Sequence, residues 1–131
     1  MPIASEVFVM IVDDQASIRG LARYSLQQIG ITQVSEAGDA KKALDELTVP
    51  GRQITLILSD YNMPEMDGME FLRTVRAHPV IRKTPFIMMT GRGDKELVSA
   101  AAKAGVSNYI IKPFNTETIK KKIEAVLGAL T

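Results

Sequence analysis

Five short apolar runs, each followed by a stretch of helical spacing, limit what this chain can fold into more than any other feature of it. Residues 7–12 (VFVMIV) form a continuous, β-branched run suited to a strand buried on both faces. Residues 33–37, 54–59, 85–89 and 108–111 read as four further strands. Between the first two, Ile18, Leu21, Ala22, Ser25 and Ile29 fall on one helical face, and Gly30 stands where a left-handed stop belongs. Asp39 is placed to cap a second helix through Leu47, which Val49-Pro50-Gly51 ends. Asp67 is placed to cap a third, with Met69, Leu72 and Val75 turned inward and His78-Pro79 as its break. Residues 94–104 form a fourth helical pattern. A fifth starts near Asn115 and turns Ile119, Ile123, Val126, Leu127 and Leu130 inward.

Strict alternation of five strands and five helices predicts an α/β fold. Its sheet is parallel, its crossovers are right-handed and its helices cover both faces. At 131 residues, with no linker, repeat or low-complexity tract, the expectation is a single domain over 1–131 and no fused output domain. There is no cysteine, so neither a disulfide nor a thiolate metal site is available. No apolar run approaches the roughly 20 residues that span a bilayer, and the N-terminus lacks a basic leader region. Together these predict a cytoplasmic protein.

The net charge of +1 hides an asymmetry: residues 1–70 carry −6 and residues 71–131 carry +7. No basic run is interleaved with aromatics, which argues against a nucleic-acid partner. Lys120-Lys121-Lys122 reads as a solvated helix face.

The polar residues that end the strands carry the chemistry. The first strand stops at Asp13-Asp14, the third at Asp60, the fourth at Thr90-Gly91 and the fifth at Lys112-Pro113. A parallel sheet brings all these ends to one edge, where open α/β sheets bind ligands. Three crowded carboxylates repel, and protonation or a cation relieves them. Their hard oxygens, without His or Cys, favour Mg²⁺ over zinc. Such an ion and the Lys112 ammonium would let the Asp60 carboxylate approach a phosphoryl group and attack it, giving an aspartyl-phosphate. The Thr90 hydroxyl could then donate to a phosphoryl oxygen, with room left by Gly91.

These residues carry a resemblance to response-regulator receiver domains, and within them to the single-domain, CheY-like chemotaxis branch. The match comprises Asp13-Asp14, the block from Ser59 to Gly68, Thr90, Tyr109 and Lys112-Pro113-Phe114, in order and over nearly the whole chain. The resemblance implies the flavodoxin-like (βα)5 fold with strand order 2-1-3-4-5. That order belongs to doubly wound sheets as a class, of which CheY is a known case; the residues by themselves leave it open. It implies Asp60 as phosphoacceptor, and Asp13, Asp14, Asp60 and the Asn62 main-chain carbonyl as Mg²⁺ ligands. It also implies Thr90 and Tyr109 as the switch pair, Lys112 as the phosphoryl-binding cation, and a cis peptide before Pro113. Asn62 and Arg92 flank the site at positions that tune the phosphoryl lifetime, and Arg92 is a cation where several relatives carry an acid.

The implied function is a monomeric two-component response regulator, phosphorylated by a CheA-like or other histidine kinase. It would signal through its α4-β5-α5 face to a target such as a flagellar motor switch protein, or serve as a phosphate sink. It is not an enzyme beyond catalysing its own phosphorylation and dephosphorylation. A receiver in a non-chemotaxis phosphorelay and a phosphorylation-independent adaptor are the alternatives.

A flavodoxin would need a Ser/Thr/Gly-rich phosphate loop where Asp13-Asp14-Gln15 stands. A haloacid-type phosphatase would need acids at i and i+2 after its first strand. The methionines at 63, 66, 69, 88 and 89 read as adaptable core filler. His78 reads as an exposed loop residue and not as the phosphodonor. Gly91-Arg92-Gly93 lacks the spacing of a phosphate-binding fingerprint.

Overall fold

The computed structural model describes residues 2–91 and 95–131. A single 3-10 turn at Ala4–Glu6 leads into β1 (Phe8–Val12), α1 (Ala16–Gln28), β2 (Gln33–Ala37), α2 (Ala40–Leu47) and β3 (Leu56–Asp60). Then follow α3 (Gly68–Ala77), β4 (Phe86–Thr90), α4 (Lys95–Lys103), β5 (Asn108–Ile111) and α5 (Thr116–Leu127). All neighbouring strands pair in parallel, in the order β2-β1-β3-β4-β5. The expected α/β architecture and its strand order are therefore present.

Alternation along the strands splits the core in two. Met10, Val12, Ile57, Phe86 and Met88 face α2, α3 and α4, where Ala43, Leu72, Val75 and Ala101 cover them. Phe71 meets Phe86 edge to face there, with centroids 5.4 Å apart. Val9, Ile11, Leu56, Leu58, Ile87, Met89 and Ile110 face α1 and α5, where Leu26, Ile119 and Ile123 cover them. Every residue of β3 and β4 is buried, which explains why those strands read as unbroken apolar runs.

The helix starts follow the sequence. Asp39, Asp67 and Asn115 accept hydrogen bonds from the backbone N–H of Lys42, Glu70 and Thr118, at 2.8, 2.9 and 2.8 Å. Each such cap contributes about 1 kcal/mol. Gly30 follows α1 at φ +89, a conformation that glycine takes without a Cβ penalty. Met63, Met69, Met88 and Met89 are buried, and Met66 packs against the cluster that holds the first three, as filler residues should.

Four expectations shift. The third strand begins at Leu56, not at residue 54. Thr55 stands before it and binds Phe8 through both its N–H and its Oγ1, so a side-chain oxygen replaces a strand acceptor. The fourth strand begins after Pro85, which has no N–H to give the ladder. Leu21 is 57% exposed; Ala22, Ser25 and Leu26 form the buried stripe of α1 instead. His78 is half-buried, and its Nδ1 accepts the Val80 N–H at 3.1 Å. Asp94, the expected start of the fourth helix, lies outside the described residues.

Candidate functional site

The C-terminal ends of β1, β3, β4 and β5 share one edge, and the strand register carries past each end. Val12 pairs with Ser59, so Asp13 and Asp60 come next on adjacent strands. Tyr61 donates its N–H to the Met89 carbonyl at 2.8 Å, and Lys112 donates its N–H to the Thr90 carbonyl at 2.8 Å. The sheet itself thus aligns the polar residues that the sequence places at its strand ends.

Asp13, Asp14 and Asp60 each offer a carboxylate oxygen within 4.8 Å of the others. Asp13 is fully buried, Asp60 is 5% exposed and Asp14 faces solvent. The Lys112 ammonium reaches between two of them, 2.9 Å from Asp60 Oδ1 and 3.2 Å from Asp13 Oδ2. Asp13 Oδ1 accepts the Gln15 N–H at 2.9 Å. No buried side-chain nitrogen or oxygen lacks a partner among the described residues.

Charge in this cluster is out of balance. Burial pushes the Asp60 carboxyl above its ordinary value, and the Asp13 charge adds to this, while the hydrogen bond from Lys112 pulls the other way. Burial alone would lower the Lys112 ammonium, but Asp60 and Asp13 outweigh it and hold it above its ordinary value. One ammonium does not neutralise three carboxylates. Oxygen donors only, one acid open to solvent and two held from within, suit a hard divalent cation that keeps part of its water. The chain's single histidine, His78, lies beyond α3 and takes no part.

Thr90 is buried as the last residue of β4, beside the strand that carries Asp60. Tyr109 lies in β5, half-buried, with Lys122 Nζ 4.7 Å above its ring. The Lys112-Pro113 peptide is cis, as the resemblance implies. Asn62 is exposed two residues beyond Asp60. Arg92, expected to flank the site, lies outside the described residues. A Cβ on Gly91 would meet nothing within 4 Å, so the chain's own packing does not require glycine there.

Two contributions escaped the sequence reading, which named Gly68 only as the end of a matched block and Arg19 not at all. A Cβ on Gly68 would collide with the Asp60 carbonyl oxygen and lie 2.8 Å from Tyr61 Cα, so the loop can close over the end of β3 only with glycine. Arg19 Nη1 donates to the main-chain carbonyl of Asp13 at 2.6 Å. The one local hint is that Arg19 sits one turn into α1, next to the end of β1; its partners come from tertiary structure.

Comparison with known proteins agrees with this geometry. Residues 9–124 match the family described as "Response regulator receiver domain". The chain is 44% identical over 130 residues to a probable chemotaxis protein CheY of Rhizobium etli, covering 99% of both chains. It is 40% identical over 120 residues to a chemotaxis protein CheY homolog of Campylobacter jejuni, covering 92% of each. Among solved structures it superposes on chemotaxis protein CheY4 of Vibrio cholerae with a TM-score of 0.84 and 35% identity, over 92% of this chain and 98% of the other. No helix among the described residues is long and apolar enough to cross a membrane. With its acidic cluster at the strand ends, its doubly wound sheet and a match over most of its length, this chain belongs to the response regulator receiver domain family.

Proposed function

We propose that the chain is a stand-alone receiver, one domain over residues 1–131, that carries a phosphoryl group on Asp60 and signals by a change in its α4-β5-α5 face. The near-complete overlap with relatives of its own size supports the single-domain reading. The observation that carries the rest is the Lys112 ammonium bridging Asp60 and Asp13 beside a third carboxylate.

In this reading Asp13, Asp14, Asp60 and the Asn62 carbonyl hold Mg²⁺. The ion, when bound, supplies positive charge for the equatorial oxygens of a phosphoryl group in transfer. An Asp60 carboxylate oxygen attacks the phosphorus of a phosphohistidine on a kinase. The P–N bond breaks, an acyl phosphate forms, and the leaving imidazole nitrogen takes a proton from solvent. Water later attacks that phosphorus and releases inorganic phosphate, restoring the carboxylate. Lys112 turns from its carboxylate partners to a phosphoryl oxygen, Thr90 donates its hydroxyl to another, and the Tyr109 ring turns inward. Arg92 and Asn62 set how long the group lasts.

The relatives' names support a place in chemotaxis, with a CheA-like histidine kinase as donor and a flagellar motor switch protein, or a phosphate-sink role, downstream. The protein acts in the cytoplasm as a monomer. Its only catalysis is the making and breaking of its own phosphoryl bond.

The test incubates the protein with acetyl phosphate, with and without Mg²⁺. Intact mass should rise by one phosphoryl group in the parent with Mg²⁺ and not in Asp60→Asn. An equal rise in the variant would refute the assignment.

A further inference from the structure

The Asp13 main chain is held from two sides. Its N–H donates to the Ala37 carbonyl at 3.1 Å, and its carbonyl accepts Arg19 Nη1 at 2.6 Å. Arg19 is itself held: its Nε donates to Glu36 Oε1 at 3.0 Å. The other Glu36 oxygen accepts Arg23 Nε at 2.7 Å. Glu36 lies in β2 next to Ile11 of β1, so the guanidinium links the edge strand to the end of its neighbour. The Arg19 and Glu36 side chains are 20% and 30% exposed, so the pair is partly shielded from water. The two arginines hold the Glu36 carboxyl below its ordinary value although burial works the other way.

We propose that Arg19, held by Glu36, is a positioning residue that fixes the Asp13 peptide and so sets how the Asp13 carboxylate meets a divalent cation beside Asp60. The inference rests on the reading above, that these carboxylates hold Mg²⁺. A planar guanidinium has donors in a fixed fork, so it can bind a carboxylate with one edge and a carbonyl with another. A lysine carries its donors on one nitrogen and lacks the rigid planar fork that presents two separate edges. Without Arg19 the Asp13 carbonyl loses its side-chain donor, so the peptide can tilt and its carboxylate shifts against the Gln15 N–H and the Lys112 ammonium that hold it. Partners that orient a metal-binding group in this way change metal affinity by about 10- to 100-fold when removed.

A purely electrostatic role would have the opposite sign. Arg19 is a cation near a site for a cation, so losing its charge alone would tighten Mg²⁺ binding. A solvent-facing ion pair with no role in the site would leave affinity unchanged and contribute at most about 1 kcal/mol to stability.

The experiment is an Mg²⁺ titration followed through backbone amide NMR shifts, with thermal unfolding run on the same samples. The parent, Arg19→Gln, Arg19→Lys and Glu36→Gln are compared. The expected result is a Kd about 10-fold weaker for Arg19→Gln, no restoration by Arg19→Lys although it keeps the charge, and a weaker Kd for Glu36→Gln, which both loosens Arg19 and removes an anion. An unchanged or tighter Kd in Arg19→Gln overturns the proposal. Should that variant not fold, Arg19→Lys, which keeps the charge and loses the planar fork, decides by the same criterion. A parent that binds no Mg²⁺ overturns the reading of the site, and this inference with it; a parent that binds while the variants match it overturns this inference alone.

Discussion

The Cα of Gly68 lies so close to the Asp60 carbonyl that no side chain fits between them. The same contact closes a loop, because the Gly68 N–H donates to the Tyr61 carbonyl at 2.8 Å. Glycine at the first position of α3 therefore holds the end of β3, and with it the Asp60 carboxylate, against the loop that follows.

Gly68→Ala should cost about 1–3 kcal/mol, the usual range for forcing an extra group into a packed site. Thermal unfolding measures the loss. Acetyl phosphate labelling of whatever protein remains folded should also slow, because relieving the collision moves Asp60. A variant with the parent's melting temperature would mean that the loop gives way freely.

Asp60→Asn should stabilise the protein at neutral pH. The folded Asp60 carboxyl titrates above its unfolded value, through burial first and the Asp13 charge second. The folded state thus binds the proton more tightly than the unfolded state. The stability this group contributes is complete below its unfolded value and is lost as pH rises through its folded one. At pH 7 an ionised Asp60 opposes folding, and an amide removes that cost while Lys112 keeps Asp13 as its partner. The variant should melt above the parent at pH 7, with the gap narrowing as pH falls through the folded Asp60 value. A variant less stable than the parent at pH 7 would contradict this balance of charge.

Lys122→Met should free the Tyr109 ring. The ammonium lies 4.7 Å from the ring centroid and 3.5 Å from Asn108 Oδ1, so it holds the ring on the α5 side of β5. Such a contact contributes about 0.5–1 kcal/mol where partly exposed. If Tyr109 turns inward as the switch, losing the contact should raise the inward population about 2- to 5-fold. Ring NMR signals of Tyr109 report it, and identical signals in parent and variant would show that Lys122 does not restrain the ring.

Local patterns were legible where one segment decides its own structure. Residues 33–37 and 108–111 became strands at their expected ends, and Asp39 and Asp67 cap as their positions suggest. The strand-end residues Asp13, Asp14, Asp60 and Lys112 were legible because a parallel sheet sends every C-terminal end to one edge. Leu21 misled for a geometric reason. At roughly 100° per residue it falls about 40° beyond the stripe that runs from Ser25 to Leu26, and hydrophobicity alone does not locate the stripe's edge. The Gly68–Asp60 approach, the Arg19 bond to Asp13 and the Lys122–Tyr109 contact join residues whose meeting depends on how whole elements dock. No spacing in the chain encodes them.

Which side chain carries the phosphoryl group is the centre of the account, and borohydride trapping reads it directly. Protein treated with Mg²⁺ and acetyl phosphate is reduced, which converts an aspartyl-phosphate to homoserine, then digested and mapped by mass spectrometry. The account predicts homoserine at position 60 alone, dependent on Mg²⁺ and sharply reduced in Lys112→Ala, whose unfolding should remain cooperative. Homoserine at position 13 or 14, or labelling at 60 that is indifferent to both Mg²⁺ and Lys112, would contradict it.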